Sequence, residues 1–262
     1  MIWPRLLHAC YPTLQGKNLT HCLLDLLIRG HRNQVAGGCD YLEIFAGRAN
    51  LSKEFFRAGY EGSSFDVCFK EEHNLLSVHG VRLALDATTN LKRKGMLWIA
   101  TVCSSFVVLC RAQSQRSAEN QYLGDLGRQF VREGNALMEA SSLIYFIAFL
   151  LGVFVVLENP TSTVIDKCPS LCGVFTFAEP YCITTYMGAF FGRSVKPLKL
   201  WSTLQQLQSL EVDRPTGMAD DELVIRDGDQ VTGQKDLLQE SEVYTPQFGR
   251  AVLRVFQDIW RT

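Results

Sequence analysis

Three places in this sequence hold residue types that could do chemistry together. In "LWIATVCSSF", Leu97 to Phe106, an apolar segment runs into Cys103. A thiol attacks only as thiolate, so a nucleophilic cysteine needs a partner for the charge that forms on its electrophile. "LENP", Leu157 to Pro160, offers Glu158 directly after an apolar run. Burial there would raise its pKa and let it protonate, or hydrogen-bond to, a substrate nitrogen, with Asn159 and Pro160 holding the turn. The third place is "YLEIFAGRANLS", a strand-like run, a tight loop with Gly47 and a helix start, followed by Asp66 in the next apolar run. In doubly wound folds such a loop lets the backbone approach a nucleotide-like ligand while the acidic residue accepts hydrogen bonds from ribose hydroxyls.

A dinucleotide site would want three glycines, whereas Gly47 is followed by Ala49 and Asn50. A pyrophosphate is poorly provided for, and a cofactor with ribose and adenine but no phosphate fits better. Each feature alone has a plain alternative: a core thiol, a turn or helix-capping carboxylate, a glycine turn with a solvated aspartate. Their joint placement favours chemistry.

The elements that must position these residues read as α/β. Strand candidates are Tyr41 to Phe45, Ser63 to Val67, Met96 to Val102, Val153 to Leu157 and Tyr181 to Phe190. Helix candidates are Leu51 to Ala58, Val81 to Arg93 and Asp125 to Leu151. Strands separated by helices of this length imply βαβ units: a Rossmann-like, mainly parallel sheet with helices on both faces. The division expected is an N-terminal extension over 1–39, a Rossmann-like domain over 40–204 and 243–262, and an acidic insert over 205–242. That insert carries ten acidic against three basic residues, a net of −7, and turn signals "DRPTG", "RDGDQ" and "VTGQ"; a solvated surface loop is the alternative.

The whole chain, at net charge −1, has no field that would draw it onto a polyanion, so any such contact must be local. Its nine cysteines, odd in number and mostly within apolar runs, read as reduced thiols of an intracellular protein, in cytoplasm or nucleus. No metal site is expected, because Cys168 and Cys172 lack a second pair at zinc-ligand spacing. The N-terminus lacks the pattern of a secretory signal. The apolar run Leu143 to Leu157 falls short of the roughly 20 residues a spanning helix needs and is divided by Gly152, so a buried helix followed by a buried strand is expected, with no membrane span.

"LEIFAGRANLS", "VCSSF" and "LENP", in this order, resemble the cofactor loop, nucleophile loop and Glu-Asn turn of S-adenosylmethionine-dependent cytosine carbon-5 methyltransferases. "YTPQFGRAVLRV", Tyr244 to Val255, resembles that family's last motif, where a terminal segment returns to the cofactor domain. More closely, the combination resembles a divergent branch carrying "CSSF", a "GN" in the following helix, and Glu-Asn-Pro or Glu-Gln-Pro. The resemblance spans Tyr41 to Phe256. It implies S-adenosylmethionine as cofactor, lined by Phe45, Ala46 and Gly47, with Asp66 on its ribose, Asn50 beside the loop and Asn74 where an acidic adenine contact often stands. It also implies that Cys103 adds to carbon 6 of a pyrimidine and that Glu158 stabilises charge at ring nitrogen 3. Asp125 and Arg128 fall in the segment that helps close the nucleophile loop. The chain departs from the family in having Val102 where a proline usually precedes the cysteine, and Lys196 and Lys199 where an arginine pair is usual.

The implied partner is DNA or RNA. An acidic segment where a basic recognition region is expected disfavours duplex DNA unless it faces away. Arg111, Arg116, Arg128 and Arg132, together with Lys196, could still track a backbone, single strands included; a solvated helix face is their alternative. A catalytically degenerate fold that binds without transferring a methyl group is the competing function.

Overall fold

The computed structural model describes residues 2–216, 224–227, 230–233 and 243–259. The chain begins with two helices, α1 (Trp3–Cys10) and α2 (Leu19–Val35), the latter capped by the Asn18 side chain accepting from the His21 N–H. The alternation that follows is β1 (Cys39–Ile44), α3 (Asn50–Arg57), β2 (Gly62–Phe65), α4 (Val78–Thr89) and β3 (Leu91–Ile99). After β3 come a short turn of helix α5 (Arg111–Ser114), the long α6 (Gln129–Leu150), β4 (Phe154–Pro160), α7 (Pro169–Ala178), β5 (Tyr181–Tyr186) and β6 (Pro197–Ser202). A hairpin, β7 (Val224–Asp227) and β8 (Gln230–Gly233), precedes the C-terminal α8 (Pro246–Ile259).

The main sheet has six strands in the order β2-β1-β3-β4-β6-β5. The first four run parallel, and β6 lies antiparallel between β4 and β5. Strand periodicity splits the core into two layers. Leu42, Ile44, Leu97, Ile99, Val155 and Leu157 enter one cluster with α1, α2, α4, α6 and α7. Tyr41, Met96, Trp98 and Val156 enter the other with α3, α8 and the turn around Leu207. The chain is therefore α/β, a mostly parallel sheet with helices on both faces, as its sequence implies.

Several boundaries differ from expectation. The helix expected through Arg93 stops at Thr89, and Leu91 already opens β3, whose Lys94 takes a left-handed φ of 61° beside Gly95. The strand expected through Phe190 ends at Tyr186 and tightens into a 3-10 turn over Met187–Phe190. β6 was not expected, since it starts at a proline and carries Lys199 in its middle; it forms because β4 and β5 both offer it ladder partners. Its pairing also draws Glu158, Asn159 and Pro160 into β4 itself, where a turn was expected.

The apolar run Leu143–Leu157 divides at Gly152 into the end of α6 and the start of β4, and no helix among the described residues is long and apolar enough to cross a membrane. Most of the side chains of the acidic segment lie outside the described residues, apart from residues 205–216, where Leu207 and Leu210 pack into the second cluster.

Leu157 is fully buried at the last apolar step of β4 before Glu158. Leu157→Ala is expected to lower unfolding free energy by about 2–5 kcal/mol, read from urea denaturation; a loss below ~1 kcal/mol would mean that the strand is not packed at this point.

Candidate functional site

Phe65, Ile44, Ile99 and Leu157 form one row across β2, β1, β3 and β4. The next residues on these parallel strands are Asp66, Phe45, Ala100 and Glu158, so Asp66, the Gly47 loop, the loop bearing Cys103 and Glu158 all lie toward the carboxyl edge of the parallel strands. That edge is where open parallel sheets bind ligands.

The loop after β1 is strained in a specific way. Phe45, Gly47 and Ala49 take left-handed φ values of 60°, 52° and 51°. For Phe45 and Ala49 this costs about 1–3 kcal/mol each, a strain that persists only where surrounding contacts impose it. The contacts are visible: Ala46 and Phe45 donate to the Phe65 carbonyl, and the Gly47 N–H donates to Asp66 Oδ2 at 2.9 Å. Asp66 Oδ1 takes the Cys68 N–H at 2.9 Å. Nothing lies within 4 Å of where a Gly47 Cβ would stand, so the glycine answers to its backbone angle and leaves open space beside the loop. Phe45, Ala46, Gly47 and Asp66 are thus brought together.

Beneath this loop lies Glu43, 1% exposed. Its Oε2 accepts from both the N–H and the hydroxyl of Ser52 near the start of α3, while Oε1 is buried with no partner among the described residues. Burial pushes its carboxyl up to about 7, against the two Ser52 donors.

The cysteine loop and β4 are joined by one side chain. Asn159, fully buried, donates from Nδ2 to the Thr101 carbonyl at 2.7 Å, and the Thr101 hydroxyl donates to Ser141 Oγ on α6 at 2.9 Å. Cys103, half-buried, opens a turn closed by the Phe106 N–H on the Cys103 carbonyl at 2.8 Å. Glu158 is 7% exposed; its Oε2 accepts the Tyr244 hydroxyl at 2.7 Å, and the Tyr244 oxygen accepts from Trp98 Nε1 at 3.1 Å. Burial raises the Glu158 carboxyl above its ordinary value, with the Lys196 charge and the Tyr244 donor opposing it. Burial and the Glu158 charge hold Tyr244 well above its own ordinary value, so it remains a neutral donor.

The remaining candidates separate. Asn50 turns away from the loop to donate to the Tyr244 carbonyl at 2.7 Å, and it lines a cleft of about 300 Å³ with Arg48, Arg193 and Tyr244. Asn74 spends Oδ1 on the Leu76 N–H and borders a separate open depression with Lys70 and Glu71. Lys196 supplies charge to Glu158 from a strained backbone, φ 23°. Arg111 is exposed, Arg128 pairs with Asp125 at 3.2 Å, and Arg132 donates to the Leu126 and Gly127 carbonyls. Arg116 corrects the expectation of a phosphate contact: at 2% exposure, its guanidinium faces the Ser105 carbonyl rather than solvent.

Tyr244, Trp98 and Glu43 carry contacts at this edge that the sequence reading did not assign. The signal in the sequence is "YTPQFGR", which marks a returning segment but not the contact of Tyr244 with Glu158. No protein-family model matches the chain, and no curated protein does.

A carboxyl whose folded pKa lies above its unfolded one binds extra protons in the folded state, so its stabilising contribution is present at low pH and is lost as pH rises through the folded value. For Glu43 that window runs from its ordinary 4.5 to about 7. Glu43→Gln is expected to remove roughly 3 kcal/mol of this pH dependence from the unfolding free energy; denaturation profiles for the two chains that stay parallel between pH 5 and 8 would contradict it.

Proposed function

We propose that the chain is an S-adenosylmethionine-dependent methyltransferase that modifies carbon 5 of a cytosine in nucleic acid through a covalent adduct on Cys103. The carrying observation is the Asn159 to Thr101 hydrogen bond, which couples the strand bearing Glu158 to the loop bearing Cys103 beside the strained Gly47 loop.

The residues after β1 fit a ribose-bearing group. Open space adjoins Gly47, Asp66 supplies carboxylate lone pairs, and the loop lacks the glycines that a pyrophosphate would want. S-adenosylmethionine held there would supply an electrophilic methyl group for carbon 5.

The chain's own residues do the rest. Cys103 loses its proton to solvent and bonds through Sγ to carbon 6, and the ring electron pair moves toward carbon 5 and nitrogen 3. Glu158, with a carboxyl raised by burial, hydrogen-bonds nitrogen 3 as charge builds there. Tyr244 donates to the carboxyl and is itself held by Trp98 Nε1, which fixes the carboxyl's orientation and offsets part of the cost of its burial. Water then takes the carbon-5 proton, the C–H electron pair forms the C5–C6 double bond, and the C6–Sγ bond breaks to return Cys103 as thiolate. Of the basic residues expected to track a backbone, Arg111, Arg128 and Arg132 are exposed and Lys196 is half-buried.

A second reading, a methyltransferase-like fold that binds without transferring, is favoured by one observation. Both Asp66 carboxylate oxygens are engaged by the chain's own N–H groups.

Calorimetric titration with S-adenosylhomocysteine tests the first step. Saturable binding that Asp66→Ala weakens by about tenfold or more is expected; no heat at high micromolar ligand would overturn the assignment. Cys103→Ala is expected to bind that ligand as the parent does and to transfer no label from a radiolabelled donor to DNA or RNA. Transfer persisting in Cys103→Ala would remove the thiol from the reaction, and binding without transfer by the parent chain would favour the second reading.

A further inference from the structure

Arg116 is a buried cation with no carboxylate paired to it among the described residues. Its Nε donates to the Ser105 carbonyl at 2.8 Å, Nη1 to the Tyr122 carbonyl at 2.6 Å and Asn135 Oδ1 at 2.7 Å, and Nη2 to Ser105 Oγ at 2.8 Å and the Val131 carbonyl at 3.4 Å. Its Cζ sits 3.8 Å over the Phe106 ring. The nearby Cys168 thiol, pushed by burial up to about 12, is neutral and supplies no counter-charge. Burying a guanidinium on neutral acceptors alone is expensive, and removing it would leave those buried acceptors without a donor, so the cation is tied to this turn. What it organises is the turn from Cys103 to Phe106.

Two neighbours on α6 are shaped to this cation. A Cβ on Gly134 would run into Ser105 Oγ and come within 3.3 Å of Arg116 Nη2 and of the Phe106 ring. Asn135 accepts from Arg116 through Oδ1 and donates through Nδ2 to the Leu123 carbonyl at 2.9 Å, closing the segment between the cysteine turn and α6. Gly134 and Asn135 are the "GN" of the sequence motif, and the contacts account for both residue types.

We propose that Arg116, seated by Gly134 and Asn135, is the positioning residue of the nucleophile: its guanidinium fork grips Ser105 from both backbone and side chain and so fixes the turn that presents Cys103. This rests on Cys103 being the attacking group, but the clamp itself can be tested without that premise. Lysine, a point donor without the fork, cannot replace it.

The full-length chain is compared with Arg116→Lys, Gly134→Ala and the double variant Gly134→Ala with Ser105→Ala. Two readouts are used: covalent trapping by an oligonucleotide containing 5-fluorocytosine, and amide hydrogen exchange over residues 103–107. Affinity for S-adenosylhomocysteine serves as the control for the fold. Arg116→Lys and Gly134→Ala are expected to trap about 100-fold more slowly and to exchange about tenfold faster over the turn, with ligand affinity held within about twofold. The double variant removes the atom that the new methyl strikes and, with it, the side-chain half of the grip, so it is expected to regain part of the protection over the turn through the remaining bond to the Ser105 carbonyl. Unchanged exchange over the turn in both single variants overturns the clamp, whether or not trapping occurs. If the parent chain does not trap at all, the methyltransferase reading fails, and the exchange result alone decides for or against the clamp.

Discussion

The hydrogen bond from Asn159 Nδ2 to the Thr101 carbonyl is the constraint on which the site's geometry depends. β3 and β4 are adjacent and parallel, so their carboxyl ends emerge side by side, but an irregular loop leaving a strand has no fixed direction of its own. A fully buried amide from the neighbouring strand gives it one. It can do so because the antiparallel β6 extends β4 through Pro160 and holds Asn159 in ladder register with Lys199. The reversed strand, unremarkable as packing, is thus what stiffens the chain at Glu158 and Asn159.

Buried ionisable groups mark the same edge. Glu43, Glu158 and Arg116 are each under a tenth exposed, and among the described residues none is neutralised by a close ion pair. Glu43 relies on Ser52, Glu158 on Tyr244, and Arg116 on carbonyls, the Ser105 hydroxyl and one asparagine. Groups of this kind stabilise a fold poorly, because desolvation consumes most of what their hydrogen bonds return. They cluster beneath the loop after β1, beside β4 and behind the cysteine turn. Such clustering is the pattern expected of a site whose chemistry needs shifted protonation and fixed loops.

The alternating strands were legible in the sequence because period-two burial on both faces of a sheet leaves near-continuous apolar runs such as "LWIA" and "VFVVL". Gly47, Asp66, Cys103 and Glu158 could be placed at strand ends for the same reason. What could not be read were contacts that depend on distant pairing. Tyr244 meets Glu158 across 86 positions. Arg116 lies in "RAQSQRSAEN", a polar stretch that reads as a solvated face, and is buried only because α6 offers a glycine where any side chain would collide. Lys199 hid β6 in the same way, its charge being met by Asp166 at 3.3 Å from another element.

The central claim, that the thiol at the end of β3 is a nucleophile toward a pyrimidine, meets its most direct test in a mass measurement. The full chain is incubated with S-adenosylmethionine and a single-stranded oligonucleotide carrying 5-fluorocytosine, whose fluorine blocks release of the adduct, and is then digested and mapped. The account predicts one covalent adduct, on the peptide that contains Cys103. An adduct on a different cysteine, or none from a chain that binds the methyl donor, would contradict it.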